Sequence, residues 1–275
     1  MQTKLSRFTD NLVRLAKKSF DGEKPALDKG GDGYSDWVTV SIYGLKQYLG
    51  HTYRVLMDVL TEMPGIIKQL ELTLPNLPNF STVSNNIEEI KYRKCDNMLK
   101  NSTNYQKEGE VQAVDTSGFD RTNHSKRYRK KTDYTFKALK TSLLIDCKTN
   151  KILDVTLSPT RPHDTRMMKT HFKKSKEKIN ILTADKAYDS KPLREKLKLE
   201  NIRPVIKHRE FDSLDKAHNA RIDDDVYNKR SNAESVFSSL KRRYGDKLHS
   251  KKLKNQIKEI QIKCIVKNIA DTIKN

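Results

Sequence analysis

The sequence predicts an α/β fold, a mixed sheet with helices on both faces, preceded by a helical N-terminal region. Three observations lead there. Residues 1–105 carry apolar side chains at helical spacing between Gly and Pro breakers. From Glu110 the period shortens to runs of β-formers. Beyond Pro162, helical and strand patterns alternate.

Taken in order, Leu5 to Phe20 has helical apolar spacing, and Asp21 to Asp36 is a linker rich in Gly, Asp and Lys. Val38 to Met63 carries a second helical pattern that stops before Pro64, and short helices are expected over Gly65–Leu72 and Ser81–Leu99. Two short helices joined by a turn can form a helix-turn-helix, and a plain packing domain fits the same pattern. Val111 to Asp115 is a short apolar strand ending in a carboxylate. Tyr134–Asp146 and Lys151–Leu157 flank the turn residues Cys147 to Asn150 and read as a hairpin. Pro162-His163-Asp164 opens a helix to Lys178, and the strand Ile179–Ala184 also ends in an aspartate, Asp185. A helix over Pro192–Glu200, a strand over Ile202–Ile206, a polar loop and a helix from Ser231 follow. From Lys241 onward, lysines mix with Leu253, Ile257, Ile260, Ile265 and Ile269, which predicts a basic amphipathic helix covering the sheet.

Charge is the loudest global feature: 55 Lys and Arg against 35 Asp and Glu leave a formal +20. An excess of this size is an electrostatic footprint for a polyanion, of which nucleic acid is the commonest. Hydrophobic content of 35% is enough to build a core. Cys95, Cys147 and Cys264 are dispersed, which argues against a disulfide framework and a cysteine-ligated zinc site. No window of 18 apolar residues exists, so a soluble, reduced, cytoplasmic protein without a membrane partner is expected.

Phosphoryl transfer on nucleic acid uses hard cations held by oxygen ligands, often one or two carboxylates with water and substrate. Acids at strand ends suit this, because a rigid sheet can converge them where open α/β sheets place their ligands. Asp115 and Asp185 both stand there, although aspartate is also a common strand terminator and cap. A more specific signal is the run Tyr227, Arg230, Glu234 and Lys241, which fits Y-x2-R-x3-E-x6-K at each fixed position. At about 100° per residue these four side chains line one helical stripe about 60° wide. Val236, Phe237, Leu240 and Tyr244 fall on the neighbouring sector, ready to pack on the sheet. The simpler reading of Ser231-x-x-Glu234 is a capping box, which explains neither the partners in the stripe nor the two strand-end aspartates.

With these residues the chain resembles the DDE transposases of prokaryotic insertion sequences, in the branch carrying the Y-x2-R-x3-E-x6-K motif. Val114-Asp115-Thr-Ser is similar to the first-aspartate strand of that family, and Ala184-Asp185-Lys-Ala-Tyr188-Asp189-Ser to its second-aspartate segment. The likeness runs from about Val111 to Ala270. It implies a ribonuclease-H-like domain over 106–275, with 1–105 binding terminal-repeat DNA. Asp115, Asp185 and Glu234 would be the catalytic, metal-binding triad for Mg²⁺ or Mn²⁺. Tyr227, Arg230 and Lys241 would grip DNA near the element's end. The implied reaction is metal-dependent cleavage at the element's ends and strand transfer into target DNA. The implied partner is double-stranded DNA, both terminal inverted repeats and target, with room for a homodimer on paired ends. Only 49 residues separate Asp185 from Glu234, which leaves little room for the β-rich insertion that some relatives carry there. Two alternatives share these residues: a non-transposing ribonuclease-H-like nuclease, and a DNA-binding protein derived from an inactive element.

Three further features have simpler readings. Asp164, after His163 at a helix start, reads as an N-cap. Asp189 reads as a turn residue, or as a support for the loop carrying Asp185. The basic run Arg121 to Lys140 holds eight Lys and Arg against Asp133, which suits either a solvated face or phosphate contact.

Overall fold

Gly50 divides what reads as one long N-terminal helical pattern. Its φ of +71° ends one helix in a left-handed cap, and Thr52 caps the next by accepting from the Val55 N–H. The structure is a computed structural model that describes residues 2–20, 25, 33–103, 109–121 and 137–273. The chain forms two compact units, one of Met1–Asn104 with Lys252–Asn275 and one of Tyr105–Lys251. Among the described residues, no helix is long and apolar enough to cross a membrane.

The first unit contains α1 (Lys4–Ser19), α2 (Asp36–Leu49), α3 (Tyr53–Thr61), α4 (Pro64–Gln69), α5 (Phe80–Glu89) and α6 (Tyr92–Asn101). The pattern expected as one helix over Ser81–Leu99 is also two, because Ile90 and Lys91 turn extended. The last helix of the chain packs against α1, α2, α5 and α6.

This corrects two expectations. The C-terminal helix does not cover the sheet, and residues from 252 onward do not belong with the catalytic unit. Its lysines are the reason the sequence misleads. Lys258, Lys263 and Lys267 are buried. The Lys258 ammonium donates to the carbonyls of Ile87, Glu88 and Ile90, where α5 ends with unpaired acceptors. Burial lowers its pKa to about 8. Lys263 pairs with Glu259 at 3.4 Å, and Lys267 with Asp271 at 2.8 Å. A helix that looks basic and solvent-facing is instead buried on all sides over much of its length.

In the second unit, β1 (Val111–Asp120), β2 (Ala138–Asp146) and β3 (Ile152–Ser158) form an antiparallel meander. Asp146 accepts from the Thr149 N–H and hydroxyl to close the β2–β3 turn, with Asn150 at φ +56°. α7 (Asp164–Ser175) leads to β4 (Ile181–Ala184), which adds parallel to β1. α8 (Lys191–Leu199) then leads to β5 (Arg203–Ile206), parallel to β4. Among the described residues the sheet order is β3-β2-β1-β4-β5. α9 (Ser213–Ala220) and α10 (Asp224–Asn228) occupy the segment expected to be a polar loop, and α11 (Ser231–Tyr244) follows.

Helices cover both faces, as expected. Val114, Leu144, Leu153, Leu182 and Ile206 pack with Met168 and Phe172 of α7 and with Leu193 and Leu197 of α8. On the opposite face Val111, Ile181 and Val205 pack with Tyr227 of α10, and α11 lies on β1 and β2. The alternation of side chains along each strand puts the two sets on opposite sides.

Candidate active site

Parallel pairing between β1 and β4 ends at Val114 opposite Ala184. The next residue on each strand is an aspartate, so Asp115 and Asp185 leave adjacent parallel strands side by side. β1 itself does not end at Asp115, as expected from the sequence. It runs on to Asp120, because β2 keeps pairing it as far as Ala138, and the Asp120 N–H and carbonyl also bond Asp246 and Leu248. Asp115 therefore sits within a strand held firmly on one side, at the point where its other neighbour stops.

Asp115 shares a face of β1 with Ser117, and that face lies under α11. Ala233, Val236, Phe237 and Leu240 are the buried positions of α11. The Lys241 ammonium donates to the Ser117 hydroxyl at 2.7 Å and lies 5.5 Å from the centre of the Phe119 ring. One turn beyond the start of the helix, Glu234 is exposed and accepts from the Arg230 guanidinium at 2.6 Å. The capping box does not form: Arg230 occupies the cap position without a side-chain cap, and the Ser231 hydroxyl donates to the Asn228 carbonyl.

The electrostatics tie these acids together. Burial raises the Asp115 carboxyl above its ordinary value, the Thr116 N–H works against that, and the charges of Glu234, Asp164 and Asp185 add to it. Arg230 is held above its ordinary value although burial works against it, because Tyr227, Glu234 and Asp185 favour its charge. Asp185 is exposed and accepts from the Lys186 N–H, capping the short 3-10 turn Lys186–Tyr188. Asp115, Asp185 and Glu234 thus share one electrostatic neighbourhood. Among the described residues, however, no three His, Cys, Asp or Glu side chains form a group that could hold one ion.

The rest of the stripe divides by burial. Tyr227 is only 7% exposed. Arg230 lies 5.4 Å and Lys207 4.6 Å from its ring centre, and its carbonyl accepts from Thr183. Arg230 and Glu234 reach solvent.

Two acids read as local caps from the sequence turn out otherwise. His163, not Asp164, caps α7, accepting from the Thr165 N–H. Asp164 pairs with Lys140 of β2 at 2.6 Å and adds to the charge felt by Asp115. Asp189 pairs with Arg194 and accepts from the Arg209 N–H at 3.0 Å, which ties the loop after Asp185 to α8 and to the segment after β5. Of the basic run, residues 122–136 lie outside the described residues; Lys140 is the described member that reaches this neighbourhood.

Sequence reasoning missed a buried polar group on the opposite face, made of Ser142, Asp154 and His171. The signal was available: Ser142 and Asp154 are polar residues inside strands that are otherwise apolar.

A family model described as "Transposase DDE domain" matches residues 106–269. No curated protein matches the chain. Among solved structures, a piggyBac transposase in a synaptic complex with hairpin DNA is similar with a TM-score of 0.50 and 10% identity. That match covers 99% of this chain and 74% of the other, so the likeness is one of fold. A pre-cleavage Mos1 transpososome matches at 12% identity over 94% of this chain and 83% of the other, and nothing rests on it at a TM-score of 0.22. With three-fifths of its length under the family model and paired aspartates where β1 and β4 part, the chain belongs to the transposase DDE domain family.

Proposed function

We propose that this transposase cuts DNA at the ends of an insertion sequence and joins those ends to target DNA, using a ribonuclease-H-like domain with Asp115, Asp185 and Glu234 as its working acids. The observation that carries the reading is the pair of aspartates at the end of the β1–β4 parallel pairing, with the charge of Glu234 reaching Asp115 from α11. In open α/β sheets ligands bind outside the carboxyl ends of the strands.

The donor set suits a hard divalent ion. All three donors are carboxylates, and their mutual repulsion, visible in the raised Asp115 carboxyl, is relieved by a cation. Asp115, Asp185 and Glu234 would hold Mg²⁺ or Mn²⁺. Bound there, the ion would polarise the scissile phosphate and sharpen the attacking oxygen. The chain's own residues supply positioning. Arg230, exposed beside Glu234, is suited to bidentate contact with a phosphate. Tyr227 supports it from below, and Lys241 holds α11 on β1 while adding positive charge. In cleavage, a water oxygen bonds to phosphorus and the element's 3′ oxygen leaves as a hydroxyl. In joining, that 3′-hydroxyl attacks a target phosphate and releases a target 3′-hydroxyl. The helical N-terminal region is assigned to terminal-repeat DNA, and paired ends would be held by two copies of the chain.

The test is a plasmid carrying the gene with its flanking genomic DNA, incubated with the full chain and Mn²⁺. Cut ends and joined products support transposition. Cleavage without joining assigns a nuclease, and DNA binding without either assigns an inactive derivative.

A further inference from the structure

Asp154, His171 and Ser142 take no part in the chemistry proposed above, yet they begin a chain of hydrogen bonds that ends beside Asp115. His171 is fully buried, and its Nδ1 lies 2.6 Å from Asp154 Oδ2. Its Nε2 lies 2.9 Å from Ser142 Oγ. Ser142 in turn hydrogen-bonds the Tyr188 hydroxyl, and Tyr188 Oη lies 2.5 Å from Thr116 Oγ1. β3, α7, β2, the turn after β4 and β1 each contribute one member.

The order of donors follows from chemistry. Although burial opposes ionisation of Asp154, His171 and Lys174 hold its carboxyl below the ordinary range, so it accepts only, and the imidazole proton sits on Nδ1. In the neutral imidazole Nε2 then accepts from Ser142, Ser142 accepts from Tyr188, and Tyr188 accepts from Thr116. Every hydroxyl hydrogen is used, and the Thr116 side chain is held in one orientation. Thr116 is where the two faces of the sheet meet. Its hydroxyl ends the buried chain on the α7 face, and its backbone N–H donates to the carboxylate of Asp115 on the other.

We infer that Ser142, His171 and Tyr188 are positioning residues for Asp115, acting through Thr116 to fix the direction in which its carboxylate is presented. This rests on the reading of Asp115 as a working acid of the site. Outer partners that orient a metal-binding carboxylate commonly matter by about 10–100-fold in metal affinity or activity. The arrangement has a mechanical logic: β4 stops supporting β1 at Val114, and the Tyr188 hydroxyl, carried by the turn that follows β4, takes up support one residue beyond Asp115.

The full chain is titrated with Mn²⁺ by calorimetry, and its cleavage of the plasmid with flanking DNA and its affinity for random-sequence DNA are measured in parallel. Tyr188→Phe keeps the ring in the core and removes the hydroxyl that joins Ser142 to Thr116. Ser142→Ala breaks the chain one link earlier and covers the case in which Tyr188→Phe misfolds. Each variant is expected to weaken Mn²⁺ binding and slow cleavage by about 10–100-fold with DNA affinity unchanged within about twofold. The double variant should lose little more than either single one, because the links act as a unit. Wild-type Mn²⁺ affinity in both single variants, while Asp115→Asn abolishes binding, overturns the inference and leaves the site reading standing. Additive losses with a lowered melting temperature and an unchanged Mn²⁺ affinity would mean plain core packing and overturn it too. Undiminished Mn²⁺ binding in Asp115→Asn removes the site reading first, and this inference with it.

Discussion

Glu234 accepts from Arg230 at 2.6 Å across one turn at the start of α11, and neither residue caps the helix with its side chain. An exposed pair of this kind is worth at most about 1 kcal/mol to stability. Glu234→Gln should therefore leave the melting temperature nearly unchanged while cleavage and joining fall by several orders of magnitude, given what metal ions contribute to such reactions. Arg230→Ala should weaken DNA binding and leave Mn²⁺ affinity intact. Calorimetry, cleavage assays and DNA titrations on both variants check this. A Glu234→Gln protein that cuts and joins at near-normal rates removes Glu234 from the chemistry.

Asp115 links the site to the pH dependence of stability. Burial raises its carboxyl, with Glu234, Asp164 and Asp185 adding to the shift. A raised folded-state value means the folded chain holds that proton more tightly than the unfolded one. The resulting stability is present below the ordinary carboxylate range and is lost as pH rises through the raised value. Metal-free wild-type protein should thus lose stability relative to Asp115→Asn between acidic and neutral pH. At neutral pH, Mn²⁺ at a hundred times its dissociation constant should add about 2.7 kcal/mol to the wild type and nothing to the variant. Mg²⁺ should support cleavage as Mn²⁺ does, Ca²⁺ poorly, because its looser coordination misplaces the reacting oxygens. Scanning calorimetry across pH and cleavage assays with each ion give the answer, and full cleavage in excess chelator rules the metal out.

The formal +20 charge should make non-specific DNA affinity fall steeply with salt, as bound counterions are released. Lys258, Lys263 and Lys267 should contribute nothing to that slope, since they are buried against carbonyls and carboxylates of their own unit. A fluorescence titration from low to physiological salt measures it. A flat response would mean that the charge only solvates the surface.

A fragment ending at residue 104 should not fold by itself. It lacks α12 (Leu253–Thr272), the helix on which α1, α2, α5 and α6 pack, and without Lys258 the end of α5 loses three donated hydrogen bonds. Circular dichroism and thermal melting should show weak, non-cooperative helicity, restored by adding a peptide of residues 252–275. A cooperative transition in the fragment alone would contradict this account.

Much of the catalytic unit was legible because its signals are local. The hairpin over residues 138–158 announced itself through β-formers on either side of a polar turn, and Asp115 and Asp185 through apolar runs that each meet a carboxylate. The stripe of Tyr227, Arg230, Glu234 and Lys241 followed from helical periodicity alone, which depends only on neighbours along the chain. The splits at Gly50 and at Ile90 were harder to read, since a left-handed cap or two extended residues barely disturb an apolar pattern.

What the sequence determined by itself is the alternation of strand and helix and the identity of the acids, because both are written in side chains at short spacing. What only the tertiary structure decided is who meets whom. Asp164 left its expected capping role because Lys140 of β2 stands opposite it. Tyr227 went into the core because Val111, Ile181 and Val205 form an apolar face beneath it. α12 left the sheet because α5 ends in carbonyls that a buried lysine can satisfy. Each of these outcomes depends on partners far apart along the chain, and the energy of burying a charge or a ring is set by those partners, which no local pattern contains.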